Sequence, residues 1–345
     1  MQKWYEMGAV DSHIIISSRV RLARNLAAYP FPSKISEMYA GLAITAMRDS
    51  VFTQKNMQNP LISALSFADL SKLDSGWLKE MSERQVISSA MVNKTTLRGL
   101  IYNEMENISI MLNEEDHLRI QVIYPEQNLD KAYETASFLD DIMSENLEYA
   151  FDTEFGYLTS CPTNTGTGMR ASYMLHIPLL ESIGNLKTYA ELITKAGFAI
   201  RGTYGEGSDA MGGIYQISNQ ITLGKSEEET ISALKHLANQ LVEKEMSLRE
   251  HAAKVYKHET EDAVYRGFGI LTNCRKISLN EAMKHLSEIR LGLLLGIMNC
   301  EISGGTIYNL MTNVQPFNLQ KIMGPATDAR HLDVMRAEYL RSSIK

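Results

Sequence analysis

Cysteine is scarce, with three in 345 residues (Cys161, Cys274 and Cys300) and none in CxxC spacing. That excludes a disulfide framework and a cysteine-rich zinc site, and it makes a reducing cytoplasm the expected compartment. Long apolar runs are missing too. The nearest, residues 291–298, falls far short of the ~18 residues that read as a membrane span. The opening MQKWYEMGAVDSH has neither the basic region nor the apolar core of a signal peptide. There is no basic excess: the net charge of −7 argues against nucleic acid, whose backbone asks for clustered Lys and Arg. What remains has ordinary globular composition, 44% hydrophobic and 22% charged, in a chain long enough for one large domain or two unequal ones.

Hydrophobic periodicity orders the chain. Residues 14–22 (IIISSRVRL) read as a β-branched strand carrying arginines, and residues 36–52 and 69–82 as helices. Segments 97–103, 108–112 and 118–124 alternate apolar and polar positions, which predicts an antiparallel meander. Residues 129–146 place Ala132, Ala136, Leu139 and Met143 on one helical face. Strands at 171–177 and 213–217 flank a helix near 185–196 that Gly197 stops. A long polar helix follows over 227–257. Ser278 and Glu281 have capping-box spacing ahead of a broadly apolar helix reaching residue 298, a candidate dimer face. Short helices are expected near 303–312 and 326–342. The expected fold is α+β: a body (1–245) with a central antiparallel sheet flanked by helices, then a helical C-terminal domain (246–345).

Three charged or glycine-rich stretches read as loops: 113–119 (NEEDHLR), 157–170 (YLTSCPTNTGTGMR) and 201–213 (RGTYGEGSDAMGG). Such glycines let backbone amides approach an anion, although neither glycine stretch ends in the Gly-Lys-Ser/Thr of a Walker motif. Taken singly, each is an ordinary surface turn. The arginines say more together. Arg19 and Arg21 alternate along one strand and share a face; Arg24, Arg119, Arg170 and Arg201 stand near the same loops. Guanidinium forks suit phosphate oxygens, so five or six converging on one cleft would neutralise a nucleotide triphosphate. Scattered over the surface in salt bridges, the same residues would count for little. The acids Glu114, Glu115 and Asp116 are either a solvated hairpin tip or a site for a cationic substrate. Cys161, before Pro162, is either a small packed residue or a thiol beside that site.

Four motifs in order, SSRVRLAR (17–24), NEEDHLRI (113–120), CPTNTGTGMRAS (161–172) and RGTYGEGSDAMGGIYQISN (201–219), resemble the signatures of the guanidino-phosphotransferases. The resemblance covers residues 14–245 and implies a phosphagen-kinase-like catalytic domain. Small-molecule phosphagen kinases carry a helical domain before the first motif. Here Arg19 comes near the start and the helical extension lies at the C-terminus, an arrangement similar to the bacterial protein-arginine kinases of the McsB type. It implies transfer of the ATP γ-phosphate to arginine side chains of proteins, with Mg²⁺. It also implies homodimers, a zinc-binding activator partner, and a role in stress response and quality control that marks proteins for a Clp unfoldase.

The resemblance assigns roles by position. Glu115 would align the guanidinium and accept its proton, with Glu114 supporting it directly or through a metal-bound water. Glu206 would clamp the other guanidinium edge, and Cys161 would contribute thiolate charge. Ser18, Arg19, Val20, Arg21, Arg119, Arg170, Ala171, Ser172, Arg201, Gly202 and Thr203 would hold ATP. Gln85 stands where the family has a nucleotide-contacting histidine. A phosphoarginine-receptor motif, RDxxRA, is reduced to LDVMRA at 332–337, keeping Asp333 and Arg336. Two other readings stay open: a phosphoarginine-binding adaptor with little kinase activity, and a free-arginine kinase.

Overall fold

The arginine-bearing run at the start of the chain forms the middle of a large sheet. The computed structural model of the protein describes residues 2–7, 11, 13–184, 186–204, 210–299, 301 and 306–345. Its strands, in chain order, are β1 (Ile15–Arg24), β2 (Leu65–Asp69), β3 (Gly99–Asn103), β4 (Ile108–Leu112), β5 (Leu118–Pro125), β6 (Phe151–Asp152), β7 (Gly156–Tyr157), β8 (Met169–His176), β9 (Phe198–Tyr204) and β10 (Ala210–Asn219). Eight of them form one sheet in the order β2-β3-β4-β5-β1-β8-β10-β9, every pair antiparallel. The other two, β6 and β7, make a small separate hairpin.

Side chains alternate across a strand, so each face of the sheet has its own chemistry. On one face Val20, Leu22, Ile120, Val122, Ala171, Tyr173 and Ile217 form the main core with the helices Leu129–Ser144 and Glu227–Val255. The expected stripe Ala132, Ala136, Leu139 and Met143 is buried there. On the opposite face Ile123, Met174 and Ile214 pack against Met283, Leu286, Tyr308 and Met311 of the C-terminal helices. That face is apolar only at this end. Arg19 stands directly across from Ile123 on β5, at the boundary where the charged half begins.

Several expectations are corrected. Residues 201–213 are not one loop: β9 runs to Tyr204 and β10 begins at Ala210, so Arg201 sits on a strand. The glycines misled because they serve a different purpose. The register of β10 shifts between Ala210 and Tyr215, and Gly212 and Gly213 there have φ of 65° and 66°. A Cβ on Gly212 would lie 2.8 Å from the Met283 carbonyl oxygen, so the glycine lets the Leu279–Leu294 helix press on the strand. Likewise Arg170 belongs to β8. The stretch expected as a 69–82 helix is the end of β2, a 3₁₀ turn (Leu70–Lys72) and the helix Ser75–Glu83. The long helix stops at Val255, and a second one, Lys257–Asn273, follows with no glycine or proline to announce the break. The C-terminal region continues through Leu279–Leu294, Ile307–Asn313, Pro316–Met323 and Ala329–Ser343. Ser278 caps the first of these, accepting from the Glu281 amide. No helix among the described residues is long and apolar enough to cross a membrane.

One contact ties the C-terminal helices to the charged side of the sheet. The Glu83 carboxylate accepts from the Phe317 and Asn318 amides at 2.9–3.0 Å, capping the Pro316–Met323 helix, whose own N-cap residue offers no side-chain bond.

Candidate active site

The charged half of the sheet face is an arginine cluster set by strand register. Arg21 of β1 pairs across from Arg170 of β8 and Gln121 of β5, while Arg119 of β5 stands opposite Ala23, the next position on that face. Arg201 of β9 pairs with Gln216 of β10, whose amide oxygen takes a bond from Arg19 Nη2. Arg19 also donates to Ser172 Oγ and to the Gln85 side chain, both at 3.4 Å. Arg170 Nη2 donates to Ser218 Oγ at 3.0 Å.

Among the described residues the cluster is under-neutralised. Burial pushes the Arg21 pKa well down, and Arg19, Arg119 and Arg170 push in the same direction against Glu114. Burial, then Arg201 and Arg119, lower that of Arg170. Like charges directly opposite across a sheet destabilise it. The Nε atoms of Arg21 and Arg170 and the Thr203 hydroxyl are buried without a hydrogen-bond partner. Buried donors left open in this way, all beside one charge sign, suit a polyanion whose oxygens supply the missing acceptors.

Three adjoining cavities follow the cluster. One of about 320 Å³ lies between Arg19, Gln85, Arg119, Gly202 and Thr203. One of about 110 Å³ gathers Arg21, Arg119, Arg170, Glu115 and Cys161. One of about 420 Å³ continues past Arg170 to Arg201. The acidic loop forms a wall of the middle one. Arg119 donates to Glu114 at 2.7 Å and to Glu115 at 3.2 Å. Glu114 is buried, with its carboxylate also taking the Ser88 hydroxyl at 2.5 Å and the Glu115 amide at 2.8 Å. Lys94 Nζ holds the loop from behind through the Asn113 and Glu114 carbonyls, each at 2.6 Å. Glu115 differs: its side chain keeps 44% of its surface in solvent, so it is the carboxylate free to meet a substrate. Burial raises its pKa, Arg119 opposes this, and Asp116 and Glu114 add to the rise. Cys161 faces the same cavity, its Sγ 3.1 Å from Thr163 Oγ1.

His117 closes the loop. It is fully buried, accepts from the Leu26 amide at Nδ1 and donates from Nε2 to the Pro30 carbonyl. Burial pushes its pKa down to about 4. An unfolded histidine protonates near 6.5, so the unfolded chain takes up a proton between pH 6.5 and 4 that the folded chain refuses. This stabilisation is complete above pH 6.5 and is lost as pH falls toward 4, about 3 kcal/mol in all. Thermal unfolding followed from pH 7.5 to 5 should therefore fall more steeply for the wild type than for His117→Asn; parallel curves would count against it.

Other expected residues are placed differently. Val20 and Ala171 turn to the helix-covered core, and the Ser18 hydroxyl is occupied by the Glu126 carbonyl and the Asn128 amide. Glu206 lies outside the described residues. Asp333 and Arg336 are in the C-terminal region and line none of the three cavities. Arg336 is buried, donating to the Val314 and Ile277 carbonyls at 3.0 and 2.9 Å and to Asp333 at 2.7 Å. Arg336→Ala should cost about 3 kcal/mol in urea unfolding, since it strands two carbonyls and a carboxylate; a loss under 1 kcal/mol would remove this structural role. The site includes residues not anticipated: Gln121, Gln216, Ser88 and Lys94. The two glutamines had a signal, lying on the arginine face by strand alternation. Among the described residues no cluster of three or more His, Cys, Asp or Glu side chains is placed to hold a metal ion.

Comparison with known proteins accords with this geometry. Residues 46–248 match the family model of the ATP:guanido phosphotransferase C-terminal catalytic domain. Residues 257–345 match that of the protein-arginine kinase McsB C-terminal domain. A protein-arginine kinase of Clostridium kluyveri is 40% identical over 337 residues, covering 96% of this chain and 94% of that one. The Clostridium acetobutylicum protein of the same name is 39% identical over the full length of both. Among solved structures, the duplicated taurocyamine kinase of Schistosoma mansoni aligns with a TM-score of 0.60 at 22% identity, over 76% of this chain and 39% of that one. Lombricine kinase aligns at 0.58 and 23%, over 70% and 68%. These two likenesses concern the fold alone. The chain belongs to the ATP:guanido phosphotransferase family, in the branch that carries the protein-arginine kinase C-terminal domain.

Proposed function

We propose that this protein transfers the γ-phosphoryl group of ATP to arginine side chains of proteins. The observation that carries the reading is the under-neutralised arginine cluster, with its open buried donors, ending at a cavity that holds Glu115 and Cys161. Arg19, Arg21, Arg119, Arg170 and Arg201 hold the polyphosphate, and transfer of this kind depends chiefly on positioning and charge stabilisation. Mg²⁺, which keeps most of its ligands as water and phosphate oxygen, would neutralise further charge without a protein carboxylate cage. Glu115 pairs with the incoming guanidinium and takes its proton as the nitrogen attacks phosphorus. The P–O bond to ADP breaks as the P–N bond forms. Glu114 fixes Arg119, and Cys161 places its sulfur along the guanidinium edge. Glu206 is proposed for the opposite edge.

The finer biology rests on the family resemblance: stress response and quality control in the cytoplasm, marking of proteins for a Clp unfoldase, a zinc-binding activator, and a homodimer. Reception of phosphoarginine at Asp333 and Arg336 belongs with it. The deciding experiment incubates the protein with ATP, Mg²⁺, free arginine and an arginine-rich protein such as casein, and reads acid-labile phosphate on each acceptor. Phosphate on casein is expected. Label on free arginine alone would make it a free-arginine kinase, and label on neither would leave an adaptor.

A further inference from the structure

Glu115 and Cys161 come from loops far apart in sequence, and a buried side chain next to Glu115 joins them. Asp116 is fully buried, and its Oδ1 accepts two hydrogen bonds: from the Ser160 amide at 2.6 Å and from Asn25 Nδ2 at 2.7 Å. Asn25, just beyond β1, accepts the His117 amide at 2.9 Å and donates to the Leu158 carbonyl at 3.1 Å. Three separate pieces of chain therefore meet at one carboxylate oxygen. Asp116 follows Glu115 directly, and Ser160 precedes Cys161 directly. The two tethered neighbours both line the 110 Å³ cavity.

We infer that Asp116 is a positioning residue that holds the Cys161 loop in register with Glu115, so that thiol and carboxylate meet the same guanidinium. The inference rests on the roles proposed above for those two residues. The two hydrogen bonds at Oδ1 by themselves call only for a neutral acceptor oxygen. Asp116 instead keeps its second oxygen buried and without a partner, and that charge lies beside Glu115. The groups facing Glu115 are Glu114 and Asp116 from its own loop, Arg119 from β5, and Arg21, Arg170 and Cys161 across the cavity. Lys94 is bound to the loop carbonyls behind it. Within this set Asp116 favours a more basic Glu115.

Two variants separate the contributions. Asp116→Asn keeps an acceptor for Ser160 and Asn25 but loses the charge; Asp116→Ala loses both. The measurements are kcat and KM on casein, ATP affinity by calorimetry, and the rate of iodoacetamide alkylation at Cys161 by mass spectrometry across pH. Asp116→Ala should lower kcat about 100-fold, the order that a misplacement near 1 Å can cause, with ATP affinity unchanged and the Cys161 alkylation profile displaced. Asp116→Asn should recover most of the kcat, with the acid limb of its pH profile moved downward. Equal losses in the two variants, or an unaltered alkylation profile in Asp116→Ala, would overturn the positioning role. Should Asp116→Ala fail to fold, Ser160→Pro deletes the same bond from its donor end; full activity there would overturn it equally. If the roles of Glu115 and Cys161 are themselves wrong, transfer survives Glu115→Ala while the alkylation profile still responds to Asp116→Ala, so the two failures are told apart.

Discussion

Glu115→Ala abolishes phosphoryl transfer, by about 10³-fold or more, while ATP binds within a few-fold of its wild-type affinity. General-base catalysis contributes about 10²–10⁴-fold, and orienting the guanidinium adds to that. Arginine needs both, because its guanidinium stays protonated below a pKa of ~12. ATP affinity should survive because Arg119, proposed to hold phosphate, does not depend on Glu115. Its shorter bond, 2.7 Å, goes to Glu114, which Ser88 holds in turn. The environment also gives the reaction a pH direction. Burial lifts the Glu115 pKa above its usual value, so activity falls as pH drops through that raised value and the acid limb lies above ~4.5. Transfer from radiolabelled ATP and calorimetric titration of ATP check the two halves. Activity retained within tenfold would remove Glu115 from the base role.

Arg21→Met should make the nucleotide-free protein more stable and the enzyme nearly dead. Arg21 is half-buried beside three other arginines, and its buried Nε has no hydrogen-bond partner among the described residues. An apolar side chain of similar length keeps the packing and removes both the repulsion and the desolvation, a kind of exchange that is often stabilising. We expect Tm to rise by a few degrees without ATP. With ATP the order should invert. The wild type gains stability from the ligand by mass action, whereas the variant, missing the central guanidinium, gains little and transfers phosphate at least about 10²-fold more slowly. Thermal unfolding with and without saturating ATP reads both signs. A variant destabilised without ATP would mean that Arg21 serves the fold rather than the ligand.

The parts of this molecule legible in the sequence are those that repeat a period. β1 and its arginines, the meander of β3 to β5 and the Leu129–Ser144 helix all follow from alternation or helical spacing. The arginine cluster was legible in kind but not in completeness. Arg201 reads as part of a loop because Gly212 and Gly213 look like turn residues, whereas they permit a bulge and a close helix contact. Gln121 and Gln216 carry only the weaker signal of strand alternation, and a neutral amide announces no chemistry until its strand is paired with an arginine. The break at Tyr256 has no local cause, and the capping of Pro316–Met323 by Glu83 joins residues more than two hundred positions apart. Such long-range contacts leave no trace in neighbouring residues.

The divided face of the sheet bears on whether the two regions can exist apart. Ile123, Met174 and Ile214 are kept from water by the C-terminal helices together with Trp4 and Tyr5, and they lie on the same strands as Arg119, Arg170 and Gln216. A chain cut near residue 256 would keep every cluster arginine but bare a greasy strip beside them, a surface that invites self-association. The helical region is thus the other half of the wall on which the arginine-bearing strands are mounted, and a truncated enzyme would fail first as a soluble molecule and only second as a catalyst.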